Sequence, residues 1–350
     1  MIGIVGATGA VGKAAAQALH RWGITALRLG GRRQDALTAL AATLPGSHTQ
    51  QADVFDPASL AAFCTGCDVI VNCAGPAHEV GDRVARAAAA VGAAYADAAG
   101  DDVLYQQVAR IRPGTAMISA GMMPGLTSLL PRYLAQLTTG QPHTLTAYIG
   151  GRDKFTLTAA EDYFRGGTAF GAVRTVLRNG KRAPATAPPP DTLPFFAEPA
   201  FSMAFLSTET ERVCARLGVT NAATYSVFAG EHVGAVMRGN ADAHALTRAA
   251  ALDSFGRATY QLIVIELATA TQTKTLVLRG NGASELTGAV AALAAHALAS
   301  KRVPDGVHHA GEILDPAEAV ARLTSLPTID DLSILDGSAQ ETGSYVEEAV

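Results

Sequence analysis

The sequence predicts an α/β fold, with a doubly wound parallel sheet followed by a second α/β domain on a largely antiparallel sheet. Two observations carry this prediction. The first 120 residues alternate between short apolar runs of β type and helical patterns, which is typical of a parallel sheet covered on both faces. Further along, residues 258–280 form two strand-like runs around a short turn, which indicates antiparallel pairing.

Short apolar or β-branched runs predict six strands in the first part of the chain. These are residues 2–5, 26–29, 49–52, 69–73, 94–96 and 116–119. Between the first two, apolar residues recur at helical spacing from Val11 to Leu19. A later helix begins with an Asp-Pro pair, which places Asp56 at the N-cap and Pro57 at the first helical position.

The pattern changes near Gly121, where a loop and a helix precede a predicted strand at 144–151. Residues 183–200 are rich in proline, which excludes regular structure. This segment is either a surface connection or a lid over a substrate, since long irregular segments in compact domains are often functional. An alanine-rich helix at 285–301 and a second Asp-Pro start at 315–326 follow. The polar last dozen residues are expected to fray.

Composition excludes several classes of protein. The formal net charge is −4, which argues against a nucleic-acid partner because such proteins are usually basic. No window holds eighteen uninterrupted apolar residues, and no basic leader precedes the strand at Ile2, so we expect a cytoplasmic protein with no membrane contact. Cys64 and Cys67 form a C-x-x-C without a second pair, so we expect small buried residues rather than a zinc or redox site.

A glycine loop joins the first strand to the first helix, in the stretch IVGATGAVG at residues 4–12. In this context Gly6 permits a tight turn, Gly9 lets the backbone approach a pyrophosphate, and Gly12 lets the helix pack close to the sheet. Exposed N–H groups and the helix dipole then favour an anion. The loop therefore predicts a Rossmann-type dinucleotide site.

The residues after the second strand indicate which dinucleotide. Arg32 and Arg33 stand where an NAD site places an acid, and no carboxylate occurs before Asp35. Guanidinium groups suit a 2′-phosphate through charge-assisted bonds, so the predicted cofactor is NADP(H). A P-loop for nucleoside triphosphates is excluded because Lys13 is followed by Ala14 instead of a hydroxyl residue.

The predicted cofactor contacts follow the first four strands. They are Gly6, Thr8, Gly9, Ala10, Val11, Gly12, Arg32, Arg33, Asp53, Val54, Cys73, Ala74, Gly75 and Pro76. Asp53 could meet the adenine, and residues 72–76 should pass over the ribose and nicotinamide side. The expected organisation is an NADP-binding domain at 1–124, a substrate and dimerisation domain at 125–284, and C-terminal helices at 285–350 that return to the first domain.

Several catalytic patterns are missing from the sequence. Short-chain dehydrogenases use a Tyr-x-x-x-Lys pair, but no tyrosine here has lysine four residues later, and Tyr148 is followed by Arg152. There is no G-x-S-x-G elbow and no H-E-x-x-H helix. The histidines at 78 and 308–309 lack metal-ligand spacing, so no metal is predicted.

Five phrases of the sequence together resemble the saccharopine dehydrogenase-like family of NADP-dependent reductases. They are GATGAVG at 6–12, GGRR at 30–33, VNCAGP at 71–76, YADAAGD at 95–101 and GMMPGLTSLL at 121–130. The likeness covers roughly the first 130 residues. It departs from the family pattern at Met123, where the family's turn carries Asp.

The resemblance implies an NADP-binding domain, a mixed α/β second domain, a homodimer and hydride transfer to a C=N bond. By this resemblance the chain is expected to lack the extra helical domain of full saccharopine reductases, and it is similar in size to stand-alone thiazolinyl imine reductases of siderophore assembly lines. A small-molecule imine or a thiazoline bound to a carrier protein is therefore the expected substrate. Two alternatives stay open, namely a trans-acting enoyl (C=C) reductase of a polyketide pathway and a non-catalytic NADP-binding sensor.

Imine reduction needs a proton as well as a hydride, so a general acid is expected near the carboxyl ends of the strands or from the second domain. The catalytic candidates are Tyr95, Asp97, Tyr163 and His232, with Asp101 and Asp162 beside them. Histidine suits the role best by type. Each candidate also has a purely structural interpretation, and water is an alternative proton source.

A basic segment offers a contact for an acidic partner. Between residues 164 and 190 there are five cations and no acid before Asp191. The cations are Arg165, Arg174, Arg178, Lys181 and Arg182. Arg174 and Arg178 are predicted to share a helix face, which could attract an acidic carrier protein. A solvated charged face is the alternative.

Overall fold

The structure is a computed structural model that describes residues 1–100, 102–111, 114–165, 170–186, 193–196, 198–239 and 242–347. The chain divides into two compact units. The first unit comprises Met1–Leu126 and Ser284–Leu326, and the second comprises Thr127–Ala283 and Pro327–Val350. Each unit is therefore built from two separate stretches of chain.

The strands alternate with helices in the first unit and cluster in the second. The strands are β1 (Ile2–Val5), β2 (Leu27–Gly31), β3 (His48–Gln51), β4 (Val69–Asn72), β5 (Ala94–Asp97), β6 (Thr115–Ile118), β7 (Thr144–Arg152), β8 (Gly171–Val173), β9 (Thr175–Arg178), β10 (Lys181–Pro184), β11 (Ala200–Ser207), β12 (Asn221–Ala229), β13 (Tyr260–Ala268), β14 (Thr273–Gly280), β15 (Gly306–His309) and β16 (Ile329–Asp336). The described helices are α1 (Ala10–Arg21), α2 (Gln34–Ala42), α3 (Pro57–Cys64), α4 (Ala77–Val80), α5 (Arg83–Ala90), α6 (Asp102–Arg110), α7 (Leu126–Gln136), α8 (Leu157–Arg165), α9 (Thr208–Leu217), α10 (Glu231–Arg238), α11 (Ala243–Asp253), α12 (Ala283–Ala299), α13 (Ala310–Ile313), α14 (Pro316–Leu323) and α15 (Ala339–Glu347).

The first unit holds a parallel sheet of seven strands in the order β15-β6-β5-β4-β1-β2-β3. The central strands β1 and β4 are buried along their whole length, as their continuous apolar sequences require. The strand order reverses between these two strands, which makes a crevice at their carboxyl ends. The predicted doubly wound parallel sheet is confirmed.

A seventh strand, β15, joins this sheet beside β6, although the sequence showed no signal for it. It has only four residues and is half exposed, so its apolar pattern is weak. Preceding it, α12 packs on α1 at Gly288. A Cβ atom at this glycine would lie 2.5 Å from the Ala14 Cβ and 2.6 Å from the Val11 carbonyl oxygen. Glycine thus permits the close approach of the two helices.

The second unit is built on a mixed sheet in the order β10-β9-β12-β7-β13-β14-β16, and β11 pairs with β12 and β8. The β7–β12 pair is parallel and the other pairs are antiparallel. The predicted hairpin is present as β13 and β14, closed by a bond from the Thr269 N–H to the Gln272 carbonyl (2.8 Å). The expected second α/β domain on a largely antiparallel sheet is confirmed.

The C-terminal part of the chain corrects the expected domain division. Residues 285–326 lie in the first unit, but β16 pairs with β14 in the second unit, with Lys274 opposite Asp336. The helix α15 then follows, where the Ala339 N–H donates to the Glu266 carboxylate (2.8 Å). The tail therefore forms a strand and a helix of the second unit instead of fraying up to Glu347.

Within the basic segment, residues 175–184 form a β-hairpin and not a helix, so the prediction that Arg174 and Arg178 share a helix face is wrong. Arg174 lies between β8 and β9 with a φ of 52°, and Arg178 ends β9. Asn179 and Gly180, both with positive φ, close the turn to β10. The β-branched residues of β9 and this turn pair favour strands over the helical spacing of the cations.

Other sequence expectations concern segments only partly described. Within residues 183–200, β10 ends at Pro184 and β11 begins at Ala200, while residues 187–192 and 197 lie outside the described residues. Among the helices that the structure describes, none has the length and apolarity needed to cross a membrane. The four cysteines are free thiols, and burial raises the pKa of Cys64 to about 12, which disfavours a reactive thiolate.

Candidate cofactor and reaction site

The glycine loop after β1 lies directly against the loop after β4. Gly6 has a φ of 78°, and a Cβ there would lie 2.7 Å from the Ala74 backbone nitrogen. A Cβ at Gly12 would lie 2.2 Å from the Gly6 carbonyl oxygen. Both positions therefore require glycine: Gly6 lets the two loops of the crevice touch, and Gly12 lets α1 start close against the glycine loop itself.

The first turn of α1 leaves backbone donors open. Gly9 is the N-cap, its backbone is extended, and no side chain caps the helix. In the part of the chain that the structure describes, the amides of Ala10, Val11 and Gly12 donate to no protein acceptor. Gly9 and Ala10 are exposed, and a Cβ at Gly9 would meet only the Gly6 carbonyl, at 3.3 Å. This open cradle of N–H groups fits a diphosphate.

Arg32 and Arg33 follow β2 at the same edge of the sheet and are both exposed. Because Val5 of β1 is in register with Gly30 of β2, the arginines lie beside the glycine loop. Thr8 of the glycine loop lies next to the end of β2, since a Cβ atom at Gly31, the residue before Arg32, would be 3.4 Å from the Thr8 hydroxyl oxygen. Among the described residues, neither guanidinium forms an ion pair. The arrangement fits the 2′-phosphate of NADP.

The loop after β3 carries Asp53 and Val54, both half-buried. The Asp53 carboxylate accepts the Phe55 N–H (2.9 Å), and the Asp53 N–H donates to the Ser59 hydroxyl (3.1 Å). Asp53 therefore fixes its own loop. Phe55 is 51 % exposed, and the sequence interpretation missed it. The Arg83 guanidinium lies 5.3 Å from the centre of its ring, a cation–π contact beside the expected adenine position.

A buried polar network supports the loop that contains Cys73, Ala74, Gly75 and Pro76. Asn72, at the end of β4, accepts the Ala74 N–H on its Oδ1 (3.1 Å) and donates from Nδ2 to Asp97 (3.0 Å). The sequence places Asn72 in this loop but does not show its supporting role, because its partner Asp97 lies 25 residues away on β5.

Two of the four predicted acids, Tyr95 and Asp97, lie inside this network. The Tyr95 hydroxyl donates to the Asp97 carboxylate, and both side chains are buried. Asp97 also accepts the Ala99 N–H (2.9 Å). Burial and the neighbouring Asp97 raise the pKa of Tyr95 well above its usual value. This geometry suits support of the strand ends, and Asp101 lies outside the described residues.

His232 is the second residue of α10 in the second unit, and it pairs with a buried carboxylate. Its Nδ1 lies 2.7 Å from Asp253 Oδ1, and Asp253 also accepts the N–H groups of His232 (3.2 Å) and Val233 (2.8 Å). The His232 side chain is 55 % exposed, whereas that of Asp253 is 5 % exposed. Glycine at position 230 leaves room for the Asp253 carboxylate, since a Cβ atom there would lie 2.2 Å from Asp253 Oδ2. Burial opposes ionisation of Asp253, but these hydrogen bonds hold its pKa below the usual value.

Tyr163 lies on α8 in an apolar cluster. Its ring meets Phe228 and Phe164 edge-on, with centres 5.6 and 5.3 Å apart. Burial raises the pKa of Tyr163 to about 12, which makes the phenol a poor acid near neutral pH. Val233, next to His232, belongs to the same cluster, so both candidates lie on neighbouring helices of the second unit. Asp162 precedes Tyr163 on α8.

Among the described residues, no group of three or more histidine, cysteine, aspartate or glutamate side chains is arranged to hold a metal ion. The geometry therefore offers a dinucleotide cradle in the first unit and an Asp–His pair in the second.

Comparison with known proteins identifies the first part of the chain. Residues 2–117 match the family model described as the saccharopine dehydrogenase NADP binding domain. This match confirms the resemblance found in the sequence and NADP(H) as the cofactor. No curated protein sequence matches the chain.

One solved structure resembles this chain along nearly its whole length, and others resemble about a third of it. Apo saccharopine dehydrogenase (L-Glu forming) from Saccharomyces cerevisiae matches with a TM-score of 0.68 and 13 % identity, over 96 % of this chain and 99 % of that one. A triphenylmethane reductase from Citrobacter covers 34 % of this chain and 47 % of its own, at 17 % identity and a TM-score of 0.31. Serine dehydrogenase from Escherichia coli covers 28 % and 60 %, at 22 % identity and a TM-score of 0.25. The yeast structure shows that both units share its fold.

Proposed function

We propose that this chain, whose residues 2–117 match the saccharopine dehydrogenase NADP binding domain, is an NADPH-dependent reductase of a C=N bond. The observation that carries the reductase assignment is the open amide cradle of α1 beside Arg32 and Arg33. The choice of an imine rests on the family and on a fold shared along nearly the whole length of a saccharopine dehydrogenase.

The chain's own residues supply binding and orientation. The amides of Ala10, Val11 and Gly12 hold the diphosphate, and the two arginines after β2 hold the 2′-phosphate. Asp53 and Val54 border the adenine, and residues 73–76 border the ribose and nicotinamide. When bound, NADPH supplies the hydride that adds to the imine carbon.

We assign the proton on the imine nitrogen to His232. Asp253 engages Nδ1 of the ring, which leaves Nε2 as the group that gives up a proton. The half-exposed ring can then recover a proton from water. Tyr163 fits core packing, while Tyr95 and Asp97 position the loop after β4.

The substrate is proposed to be a small imine or a carrier-bound thiazoline of siderophore biosynthesis. Support for a carrier comes from exposed cations on the β9–β10 hairpin, namely Arg174, Arg178 and Lys181. Arg182 is already paired with Glu211 (2.5 Å). An acidic carrier protein would meet this surface through charge complementarity. Its affinity should fall in the R174E/R178E double variant, and an unchanged affinity would remove the carrier from the proposal.

We further propose a cytoplasmic homodimer, in keeping with the four free thiols and the family. Light scattering on the purified protein measures the oligomeric state, and a monomeric mass would contradict the dimer.

The reaction is tested by following NADPH absorbance with three substrate classes. A thiazoline and a simple cyclic imine should be reduced, whereas an enoyl thioester should not. Turnover of the enoyl thioester alone would favour the C=C reductase, and binding of NADPH without any turnover would favour a sensor.

The R32S/R33S variant should weaken NADPH binding roughly tenfold or more and leave NADH binding unchanged, with R248S in the second unit as the control.

The role of His232 is tested with a variant that keeps its contact to Asp253. The His232→Asn amide can replace Nδ1 but has no group at Nε2, so kcat should fall roughly 100-fold while NADPH affinity holds. The His244→Asn variant, at an exposed histidine of α11, is the control. A wild-type kcat in His232→Asn would assign the proton to water or to another residue.

A further inference from the structure

Ser119 and His309 meet at the carboxyl edge of the first unit's sheet, at the ends of β6 and β15. The Ser119 Oγ lies 3.0 Å from His309 Nδ1 and also donates to the Gly100 carbonyl (3.1 Å). Both side chains are buried. A buried imidazole bound to a hydroxyl 190 residues away in sequence is a specific arrangement, and the cofactor cradle does not use it.

Helix α6 fixes the imidazole from two further sides. Asp102 Oδ1 lies 3.7 Å from His309 Nε2. The Tyr105 ring stacks on the imidazole with centres 4.8 Å apart and planes 16° apart. The Tyr105 hydroxyl donates to the Val307 carbonyl of β15 (3.1 Å), which ties the same helix to the strand that carries His309.

The backbone of Ser119 is strained. Its φ is 57°, in the left-handed region that a residue with a side chain rarely adopts. Such a conformation is energetically unfavourable and persists only where the surroundings impose it, most often at functional sites. Here the Ser119 N–H donates to the Ala99 carbonyl (2.7 Å) and His309 holds the hydroxyl.

Ser119 is linked by backbone bonds to the strand ends that border the crevice. The next residue, Ala120, donates its N–H to the Asp97 carbonyl (2.9 Å). Asp97 in turn binds Asn72, which holds the Ala74 amide. A continuous chain of hydrogen bonds therefore runs across the ends of β15, β6, β5 and β4 to the loop over the reaction half of the crevice.

Although Ser119, His309 and Asp102 are the residue types of a hydrolase triad, the geometry does not suit acyl transfer. The N–H after a nucleophilic serine must be open to stabilise an oxyanion. In this chain that group belongs to Ala120 and is bound to Asp97. The Ser119 side chain is also 1 % exposed, which leaves no approach for an acyl group.

We infer that His309 is a positioning residue of the reductase, which holds Ser119 in its strained conformation and thereby sets the turn at residues 119–125. This inference rests on the proposed function, because the turn lies at the sheet edge where the reaction is placed. Asp102 and Tyr105 orient the imidazole, and the hydrogen-bond chain carries the placement to the loop after β4.

The test compares two histidine variants that differ in the nitrogen they replace. The His309→Asn amide can still reach Ser119 in place of Nδ1, whereas the His309→Gln amide reaches toward Asp102 in place of Nε2 and loses Ser119. The His308→Gln variant is the control, because the hydrogen bond of the neighbouring His308 side chain among the described residues goes to the Pro304 carbonyl (3.0 Å) and not to Ser119. Hydrogen exchange of the amides at 115–126, NADPH affinity and kcat are measured for each variant.

We expect His309→Gln to speed exchange at Ser119 and Ala120 roughly tenfold and to lower kcat 10- to 100-fold, with NADPH affinity little changed. His309→Asn and His308→Gln should stay near wild type. Equal effects of the two His309 variants, or unchanged exchange and kcat in His309→Gln, would overturn the inference. If wild type reduces no imine, the proposed function fails, yet the exchange pattern still decides whether His309 holds the turn.

A glycine variant keeps the inference testable if His309→Gln does not fold. Glycine adopts the φ of Ser119 without strain, and this relief opposes the loss of the hydroxyl's hydrogen bonds, so Ser119→Gly should fold with a melting temperature near that of wild type. It should nevertheless lower kcat, because the hydroxyl that locks the turn is lost. A wild-type kcat in Ser119→Gly would contradict the positioning role.

Discussion

At the residue scale, the glycines of the first loop have separable tasks. A Cβ at Gly12 would lie 2.2 Å from a backbone oxygen, whereas one at Gly9 would meet its nearest atom at 3.3 Å, and no positive φ is required at Gly9. We therefore expect Gly12→Ala to destabilise the fold by about 1–3 kcal/mol and to abolish NADPH binding. Gly9→Ala should fold nearly normally but bind NADPH at least about tenfold more weakly, because its methyl group occupies the cradle.

Thermal unfolding and a fluorescence titration of NADPH measure the two effects independently. Equal loss of stability in both variants would show that the loop glycines share one structural task, and normal NADPH affinity in Gly9→Ala would place the diphosphate elsewhere.

A second residue-scale prediction concerns Asp253 and pH. The pKa of Asp253 in the folded protein lies below its value in the unfolded chain, which is near 3.9. The ionised carboxylate therefore adds its full contribution to the free energy of unfolding above that pH, and this contribution is lost as the pH falls through the folded pKa. Asp253→Asn should therefore destabilise the protein by about 1.5–3 kcal/mol at pH 7, and the difference from wild type should shrink below about pH 4. Urea unfolding at pH 7, 5 and 3 measures it. A difference that is constant with pH would show that the charge is not involved.

The sequence predicts individual residues well where their roles are local. Gly6 and Arg32 are placed by a strand, a turn and a helix that follow one another in the chain. The partners of buried polar groups are not local, since Asn72 meets Asp97 across two strands and Ser119 meets His309 across 190 residues. For this reason the sequence names Asp97 as a catalytic candidate but gives no sign that its carboxylate binds Asn72 and Tyr95.

At the element scale, the close contact of α12 with α1 makes glycine more favourable than alanine at position 288, the opposite of the usual preference inside a helix. Alanine in place of glycine inside a helix usually stabilises by up to about 1 kcal/mol. At Gly288 a Cβ would lie 2.5 Å from Ala14, so Gly288→Ala should instead destabilise the protein by about 1–3 kcal/mol. At Gly234 of α10, the nearest atoms belong to the flexible Arg238 side chain at 3.4 Å, so Gly234→Ala should be neutral or stabilising.

Denaturant unfolding of these two variants gives the sign of each effect. A stabilising Gly288→Ala would mean that α12 can move away from α1 without lowering the free energy of unfolding.

Elements with strong periodicity are found within about two residues of their predicted positions, as the six predicted strands of the first sheet are. The elements that were missed or mistaken have weak or conflicting signals. β15 is four residues long and half exposed, and in β9 the helical spacing of Arg178 from Arg174, which precedes the strand, conflicts with the β-branched residues Thr175 and Val176. In β9 the Asn179–Gly180 turn decides the structure, because positive φ at both positions closes a hairpin.

At the scale of the whole molecule, cofactor binding links to stability by mass action. Because NADPH binds only the folded first unit, a concentration 100 times its Kd should stabilise that unit by about 2.7 kcal/mol. NADH at the same concentration should give a much smaller shift, since Arg32 and Arg33 have no phosphate to bind. A thermal melt with each dinucleotide measures this, and equal shifts would contradict the assignment of the two arginines.

The order of the two domains was predictable from the change of pattern near Gly121, but the assignment of the last segment was not. Residues 327–350 return to the second unit because β16 completes the edge of its sheet beside β14. Nothing in a single strand's sequence specifies which of two sheets it joins, since both offer an open edge for pairing.

The discontinuous first unit has a consequence for synthesis on the ribosome. The strand next to β15 in the sheet ends at Ile118, yet β15 itself ends at His309. At roughly 5–20 residues per second, about 10–40 seconds of translation separate the two. During that interval the nascent sheet carries an unpaired edge at β6 and lacks the imidazole that holds Ser119. An open edge strand can pair with another chain, so we expect aggregation of the nascent chain to be most frequent during this interval and to fall once β15 covers β6.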